Sequence, residues 1–300
     1  MNKTLGARSY QRMGEALTII DAQLDGDLAI RSICERLHVS EFHFQRQFKA
    51  CWKVSFAECV RLLRMKRAAY CLVFRSEQRI LDIALQAGYD SAEAFSRAFK
   101  RYSDQSPRDF REQANWTALT QKLQTLEAVR ELQSMNRHYT VEIVEREELG
   151  LAVYRHQGPA SRLGNSIGEF IAWRKSQRLP PSVARTFNRF YEDPRESGAD
   201  YRFDLACEWP VDRDWTSSVS ILEGETLPLD FERLPAGRYG KIQHQGSDEA
   251  MSTAIEYLYE HWLPKSGEEV ADAPLLIERL RFFPEVPESQ ALNHILLPLA

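Results

Sequence analysis

Apolar positions along this chain follow two different periods, and the change falls near residue 138. Before it, apolar side chains recur at helical spacing. Residues 40–55 (SEFHFQRQFKACWKVS) and 91–106 (SAEAFSRAFKRYSDQS) repeat one another at an offset of 51, with identity at Ser40/Ser91, Phe44/Phe95, Arg46/Arg97, Phe48/Phe99, Lys49/Lys100 and Ser55/Ser106. In each copy a Ser stands where an N-cap belongs, and aromatics follow at helical spacing. A short amphipathic segment precedes each copy, through Ile30, Ile33, Cys34 and Leu37 in one and Ile80, Ile83 and Ala84 in the other. Tight turns at His38-Val39 and Gly88-Tyr89-Asp90 join the segments, so each copy predicts a helix-turn-helix. Residues 56–74 lie between the copies without Pro or Gly and predict a connecting helix of roughly 28 Å. Another helix is expected over 115–135 from the spacing of Trp116, Leu119, Leu123, Leu126, Val129 and Leu132. Arg130 and Gln133 interrupt the heptads that a coiled-coil seam would need there.

After residue 138 the period becomes two, with strand-like runs at 139–146, 151–156, 182–191 and 201–207. His156-Gln157-Gly158 recurs 88 residues later as His244-Gln245-Gly246. Each copy precedes an amphipathic helix, marked by Leu163, Ile167, Phe170 and Ile171 in one and by Met251, Ile255, Leu258 and Trp262 in the other. Each helix is followed by a strand ending in an aromatic and then a proline, Tyr191 to Pro194 and Phe282-Phe283-Pro284. The pattern predicts a duplicated strand-strand-helix-strand-strand unit with a cleft between the copies. The expected architecture therefore has two domains: an all-α double helix-turn-helix over 1–113, a helical linker over 114–137, and an α+β module over 138–300. A chain ending near residue 113 is expected to fold by itself.

Charge changes this picture. The net charge of −4 splits into +5 for residues 1–115, with 19 Lys+Arg against 14 Asp+Glu, and −9 for the remainder. Such asymmetry fits a chain of which only the first half meets phosphates. The connecting helix is also close to one DNA turn of about 34 Å, so both recognition helices can reach successive major grooves. With 43% apolar residues each half can bury a core. No apolar stretch is long enough for a signal peptide or a membrane span, and the cytoplasm is the expected compartment. The five cysteines contain no C-x-x-C pair, so reduced thiols are expected rather than disulfides or zinc. His156 and His244 lack a carboxylate at ligand spacing and read as turn residues, not metal ligands.

Residues 8–112, through Gly88-Tyr89, Phe95-Ser96-Arg97, Phe99-Lys100 and Ser106-Pro107, resemble the AraC-type DNA-binding domain. Phe42-His-Phe-Gln-Arg-Gln-Phe-Lys49 is most similar to its monomeric Mar/Sox/Rob branch, where the positions matching Phe42, Gln45 and Arg46 face bases. The chemistry agrees, since Arg pairs bidentately with guanine and Gln with adenine. Phe42, Gln45, Arg46 and Lys49 share one helical face. Lys53 and Asp104 replace the glycine that suits a left-handed C-cap. Ala92 and Glu93 stand where relatives carry amides, so the second unit is expected to hold the backbone through Arg97 and Lys100 rather than to read bases.

Residues 138–300 resemble the GyrI-like, SHS2-type effector-binding module. The matching elements include Gln157-Gly158-Pro159, Tyr191-Glu-Asp-Pro194, Arg202-Phe203-Asp204, Leu234-Pro-Ala-Gly237, His261-Trp-Leu-Pro264, Ile277-Glu278-Arg279 and Ile295-Leu-Leu-Pro298. Alternation places Glu278 on one face with Leu276, Leu280 and Phe282. A carboxylate there is paired with Arg279, Arg281 or a neighbouring strand, or it awaits a partner. The resemblance implies that Glu278 faces the cleft and meets a cationic or polar ligand, with Trp173, Tyr191 and Trp262 as aromatic walls. The expected function is a transcription regulator responsive to a small aromatic or cationic molecule. Its expected partners are double-stranded DNA, RNA polymerase and the effector, with no membrane, cofactor, metal or catalytic residue. Two alternatives stay open for the module: a hydrolase using Glu278 as a base raised toward working pH, and a ligand-free protein-interaction module.

Overall fold

The computed structural model describes residues 3–24, 26, 28–134, 139–191, 200–210, 221–222 and 225–300. The chain forms two compact units. The first comprises 1–137 together with 246–252 and 283–291, and the second comprises 138–245, 253–282 and 292–300.

In the first unit, α1 (Lys3–Ala22) leads into α2 (Ile30–Arg36) and α3 (Glu41–Trp52), the first helix-turn-helix. The long helix α4 (Phe56–Phe74) follows, then α5 (Ile80–Gln86) and α6 (Ala92–Ser103), the second. The short α7 (Pro107–Glu112) and α8 (Thr117–Ser134) complete the helices. The four repeated serines each cap a helix. Ser40, Ser55, Ser91 and Ser106 accept from the amides of His43, Glu58, Ala94 and Asp109 at 3.4, 3.2, 3.1 and 3.2 Å. The repeated phenylalanines are fully buried and pack alike, with Phe44–Phe48 and Phe95–Phe99 centroids both 5.5 Å apart. Lys53 and Asp104 sit in the left-handed region at φ 59° and 60°. Non-glycine residues therefore hold both C-caps, at a strain of about 1 kcal/mol for Lys53 and less for Asp104. Gly88 takes φ 82° in the turn of the second helix-turn-helix, where a Cβ would run into the Arg64 guanidinium.

The helical core does not end at residue 113. Leu119, Leu123 and Leu126 of α8 are buried in the same apolar cluster as Phe44, Phe95 and Phe110. The stretch expected as a linker is thus part of the fold, because its apolar stripe matches the groove the other helices leave. Two segments from far along the chain join this unit as well. Lys66 of α4, almost fully buried, donates to Glu249 Oε1 at 2.7 Å and Glu288 Oε1 at 2.8 Å.

The second unit runs β1 (Val141–Arg146), β2 (Leu149–Gly158), α9 (Leu163–Ser176), β3 (Thr186–Phe190) and β4 (Tyr201–Glu208). After the small β5 (Ile221–Leu222) and β6 (Glu225–Thr226) come β7 (Leu229–Leu234) and β8 (Gly237–Gln245). Then α10 (Met251–Tyr257), a π-turn (Leu258–Trp262), α11 (Leu263–Ser266), β9 (Leu275–Arg281) and β10 (Leu292–Leu299) follow. Eight strands form one antiparallel sheet in the order β1-β8-β10-β9-β3-β4-β2-β7. Under α9, Phe170 and Trp173 pack on Ala152, Phe203, Leu205 and Cys207, which fixes the helix face of the sheet. The opposite face carries Leu151, Val153, Phe187, Ala206, Leu276 and Leu296, joined by Leu234 and Tyr239.

That opposite face is the inside of a curl. Glu278 pairs in register with His294, and His294 with Gln243, whereas Arg146 pairs with Gly237 on β8. In a flat sheet Arg146 and Glu278 would be about 14 Å apart across the strands and roughly 20 Å along them. Their side chains nonetheless meet at 2.8 Å.

Candidate functional site

Two surfaces carry chemistry. On α3, Phe42, Gln45, Arg46 and Lys49 are exposed, while Phe44 and Phe48 face the core. Phe42 is 60% exposed, and the Arg46 guanidinium carbon lies 4.3 Å from its ring centroid. A large exposed aromatic that holds a guanidinium outward prearranges a group able to pair with a base edge. On α6, Arg97 and Lys100 are exposed, as is Glu93 in the first turn. α3 and α6 thus present different chemistry on one scaffold: amide, guanidinium and ring in the first, cations beside an acid in the second.

The other surface is the inner face of the sheet. Glu278 is only 5% exposed. Its Oε2 accepts from Arg146 Nη1 at 2.8 Å and lies 3.3 Å from His294 Nδ1. Burial alone would push the carboxyl up, but the hydrogen bonds and charges of His294 and Arg146 outweigh it and bring it down to about 2. The counter-charge comes from β1, not from Arg279 or Arg281. Arg279 points to the helix face and donates to Asn188 Oδ1 at 2.8 Å. Neither Arg146 nor His294 is among the site residues expected from the sequence. The His294 contact comes from pairing of β10 with β9 and the Arg146 contact from the curl of the sheet, and neither leaves a local signal.

Tyr191 lies on the inner face too, and its hydroxyl donates to Asp204 Oδ2 at 2.7 Å. Burial and that bond hold the Tyr191 phenol above its ordinary range. The buried Asp204 also meets Arg189 Nη1 at 3.4 Å, and Arg189 reaches Glu232 at 2.6 Å. The remainder of the Tyr191-to-Pro194 motif, residues 192–194, lies outside the described residues. Trp173 and Trp262 do not join this group. Trp173 is wholly buried under α9, and Trp262 lies against Gly240, where a Cβ would stand 3.0 Å from its ring. Both are on the helix face, so the sheet separates them from Glu278. Helical periodicity marks Trp262 as apolar, but it does not say on which side of the sheet its helix packs.

His156 is buried, with Nδ1 2.9 Å from Ser166 Oγ, and burial lowers its pKa. Among the described residues no group of three or more His, Cys, Asp or Glu side chains is arranged to hold a metal ion. No helix among them is long and apolar enough to cross a membrane.

Comparison with known proteins matches a domain to each part of the chain. Residues 33–113 match a helix-turn-helix domain, and residues 139–300 match the GyrI-like small molecule binding domain. The probable transcriptional regulator YgiV of Escherichia coli K12 is 28% identical over 162 residues, covering 53% of this chain and 96% of its own. The right origin-binding protein of the same organism is 32% identical over 104 residues, covering 35% of this chain and 36% of its own. A cryo-EM structure of an EcmrR–DNA complex aligns over 90% of this chain and 98% of that one, at 13% identity and a TM-score of 0.41. The chain belongs to the GyrI-like family and is an AraC-type helix-turn-helix DNA-binding transcription regulator with a GyrI-like small molecule binding domain.

Proposed function

We propose that α3 reads the DNA sequence while α6 holds the backbone, and that an aromatic or cationic effector bound on the inner face of the sheet controls the outcome. The observation that supports it most is the buried Glu278 on an apolar, partly aromatic face that includes Phe187, Tyr239, Leu276 and Leu296. A buried carboxylate costs free energy unless it is paired, and its retention there supplies selectivity for charge. Tyr191 belongs to the same reading as an aromatic wall at the other half of the face. Phe42, Gln45, Arg46 and Lys49 supply contacts from α3, and Arg97 and Lys100 supply contacts from α6. RNA polymerase is the partner such a regulator addresses, and the cytoplasm is its compartment. We also infer that the order strand-strand-helix-strand-strand, which occurs on either side of β5 and β6, descends from a duplicated unit.

Binding is favoured over hydrolysis. A carboxyl held at about 2 is a weak base at neutral pH, far from the matched value that general-base catalysis needs. Genome-wide footprinting with and without cationic aromatic compounds tests the proposal. The expected result is discrete sites whose occupancy or promoter output responds to the compounds. Footprints indifferent to every such compound contradict it.

A further inference from the structure

We propose that Arg146 is a tethered occupant of the cation position beside Glu278, and that a monocationic effector binds by exchanging its own charged group for the Arg146 guanidinium. The inference rests on the effector site assigned above and adds how that site is gated and what head group it takes.

The pair is long-range and conditional. Arg146 is the last residue of the edge strand β1, and it reaches Glu278 only because the sheet curls. The side chain of Arg146 is 15% exposed and that of Glu278 7%, so the guanidinium is the partner nearer to solvent. Both donors to Glu278 fall on Oε2, and among the described residues Oε1 is left to accept from another group. The Arg146 guanidinium carbon also lies 5.8 Å from the buried Phe187 ring, which offers an incoming cation the same π surface. A displaced Arg146 has carboxylates to meet, since Glu145 and Glu147 are exposed on either side of it at the strand end.

Exchange keeps the buried charge count constant. In either state Glu278 has one cation beside it, so the desolvation cost is met before and after binding. A neutral ligand has no such partner to offer and leaves Arg146 in place. A dication brings an excess charge that Glu278 alone does not balance. The head group is therefore an amidinium, guanidinium or ammonium on an aromatic body. Occupation by Arg146 lowers apparent affinity by the fraction of molecules in which the site is closed.

Calorimetric titration of the full chain with benzamidinium, and with its neutral isostere benzamide, tests this. Arg146→Met should bind benzamidinium at least about tenfold more tightly than the parent, because the closed fraction is removed. Benzamide should bind the two alike, and Glu278→Gln should lose the benzamidinium preference. If Arg146→Met melts too low to titrate, Arg146→Lys takes its place, with a smaller gain of the same sign. Parent and variant binding benzamidinium equally, with that binding still lost in Glu278→Gln, would overturn the exchange and leave the effector site standing. Benzamidinium binding that survives unchanged in Glu278→Gln, or fails in all variants, would overturn both.

Discussion

Arg46 and Glu278 each hold a charge in place with an aromatic or ionic neighbour, but in opposite surroundings. Arg46 is exposed and stacked on Phe42, so its removal should cost little stability. Arg46→Ala should instead weaken binding to a footprinted site by about 1–3 kcal/mol and binding to random DNA by much less. Equal losses on both DNAs, measured by fluorescence anisotropy, would make Arg46 a phosphate contact. Neutralising an unpaired buried carboxylate would stabilise the fold, but Glu278 is paired with Arg146 and the sign is the opposite. Glu278→Gln should lower stability by about 3–5 kcal/mol, the range for deleting one partner of a buried pair. The pH dependence has a defined sign. The folded pKa lies below the ordinary value of 4.5, so this stabilisation is complete above 4.5 and is lost as pH falls toward about 2. Parent and Glu278→Gln melting curves should therefore converge on acidification through that window, and parallel curves would refute the pairing.

The elements show which parts of a sequence speak for themselves. Both helix-turn-helix units were legible because every determinant is local: a capping Ser, two phenylalanines four apart, a tight turn. Even the missing C-cap glycines were legible, and the strained φ of Lys53 and Asp104 follows. Lys53→Gly should raise stability by about 1 kcal/mol, and Asp104→Gly by less, because Asp tolerates the left-handed region better than Lys. Thermal melting decides, and a loss in Lys53→Gly would mean that the Lys53 Nζ bond to Ala50 O outweighs the strain. The sheet module was legible only as a set of strands and two helices. Alternation put Glu278 on the same face as Leu276. It said nothing of which strands are neighbours, so it could not separate Trp173 and Trp262 from Glu278 or bring Arg146 to it. Strand order and curl depend on pairing between distant segments, and no window of sequence holds that information.

Across the whole molecule, sequence order and compact units do not coincide. Segments 246–252 and 283–291 belong with the helices, and Glu249 and Glu288 provide the carboxylates that neutralise Lys66. In the full chain, Lys66→Met should be destabilising by about 3–5 kcal/mol, since it deprives the buried Glu288 of its cation. In a fragment of residues 1–137 both carboxylates and the segments that carry them are gone, so the same substitution should be nearly neutral. Chemical denaturation of the four proteins checks this difference, and an equal loss in both contexts would place the role of Lys66 elsewhere. A shorter chain ending near 113 should be weaker still, since it uncovers the core that Leu119, Leu123 and Leu126 close.

The regulator reading joins a DNA-reading helix to an effector face, so the most direct test reads both at once. Transcription in vitro from a footprinted promoter, titrated with an aromatic monocation, should change with concentration for the parent chain. Glu278→Gln should regulate that promoter but ignore the cation, and Arg46→Ala should fail to regulate it at all. A Glu278→Gln response that matches the parent's, or normal regulation by Arg46→Ala, would contradict the account.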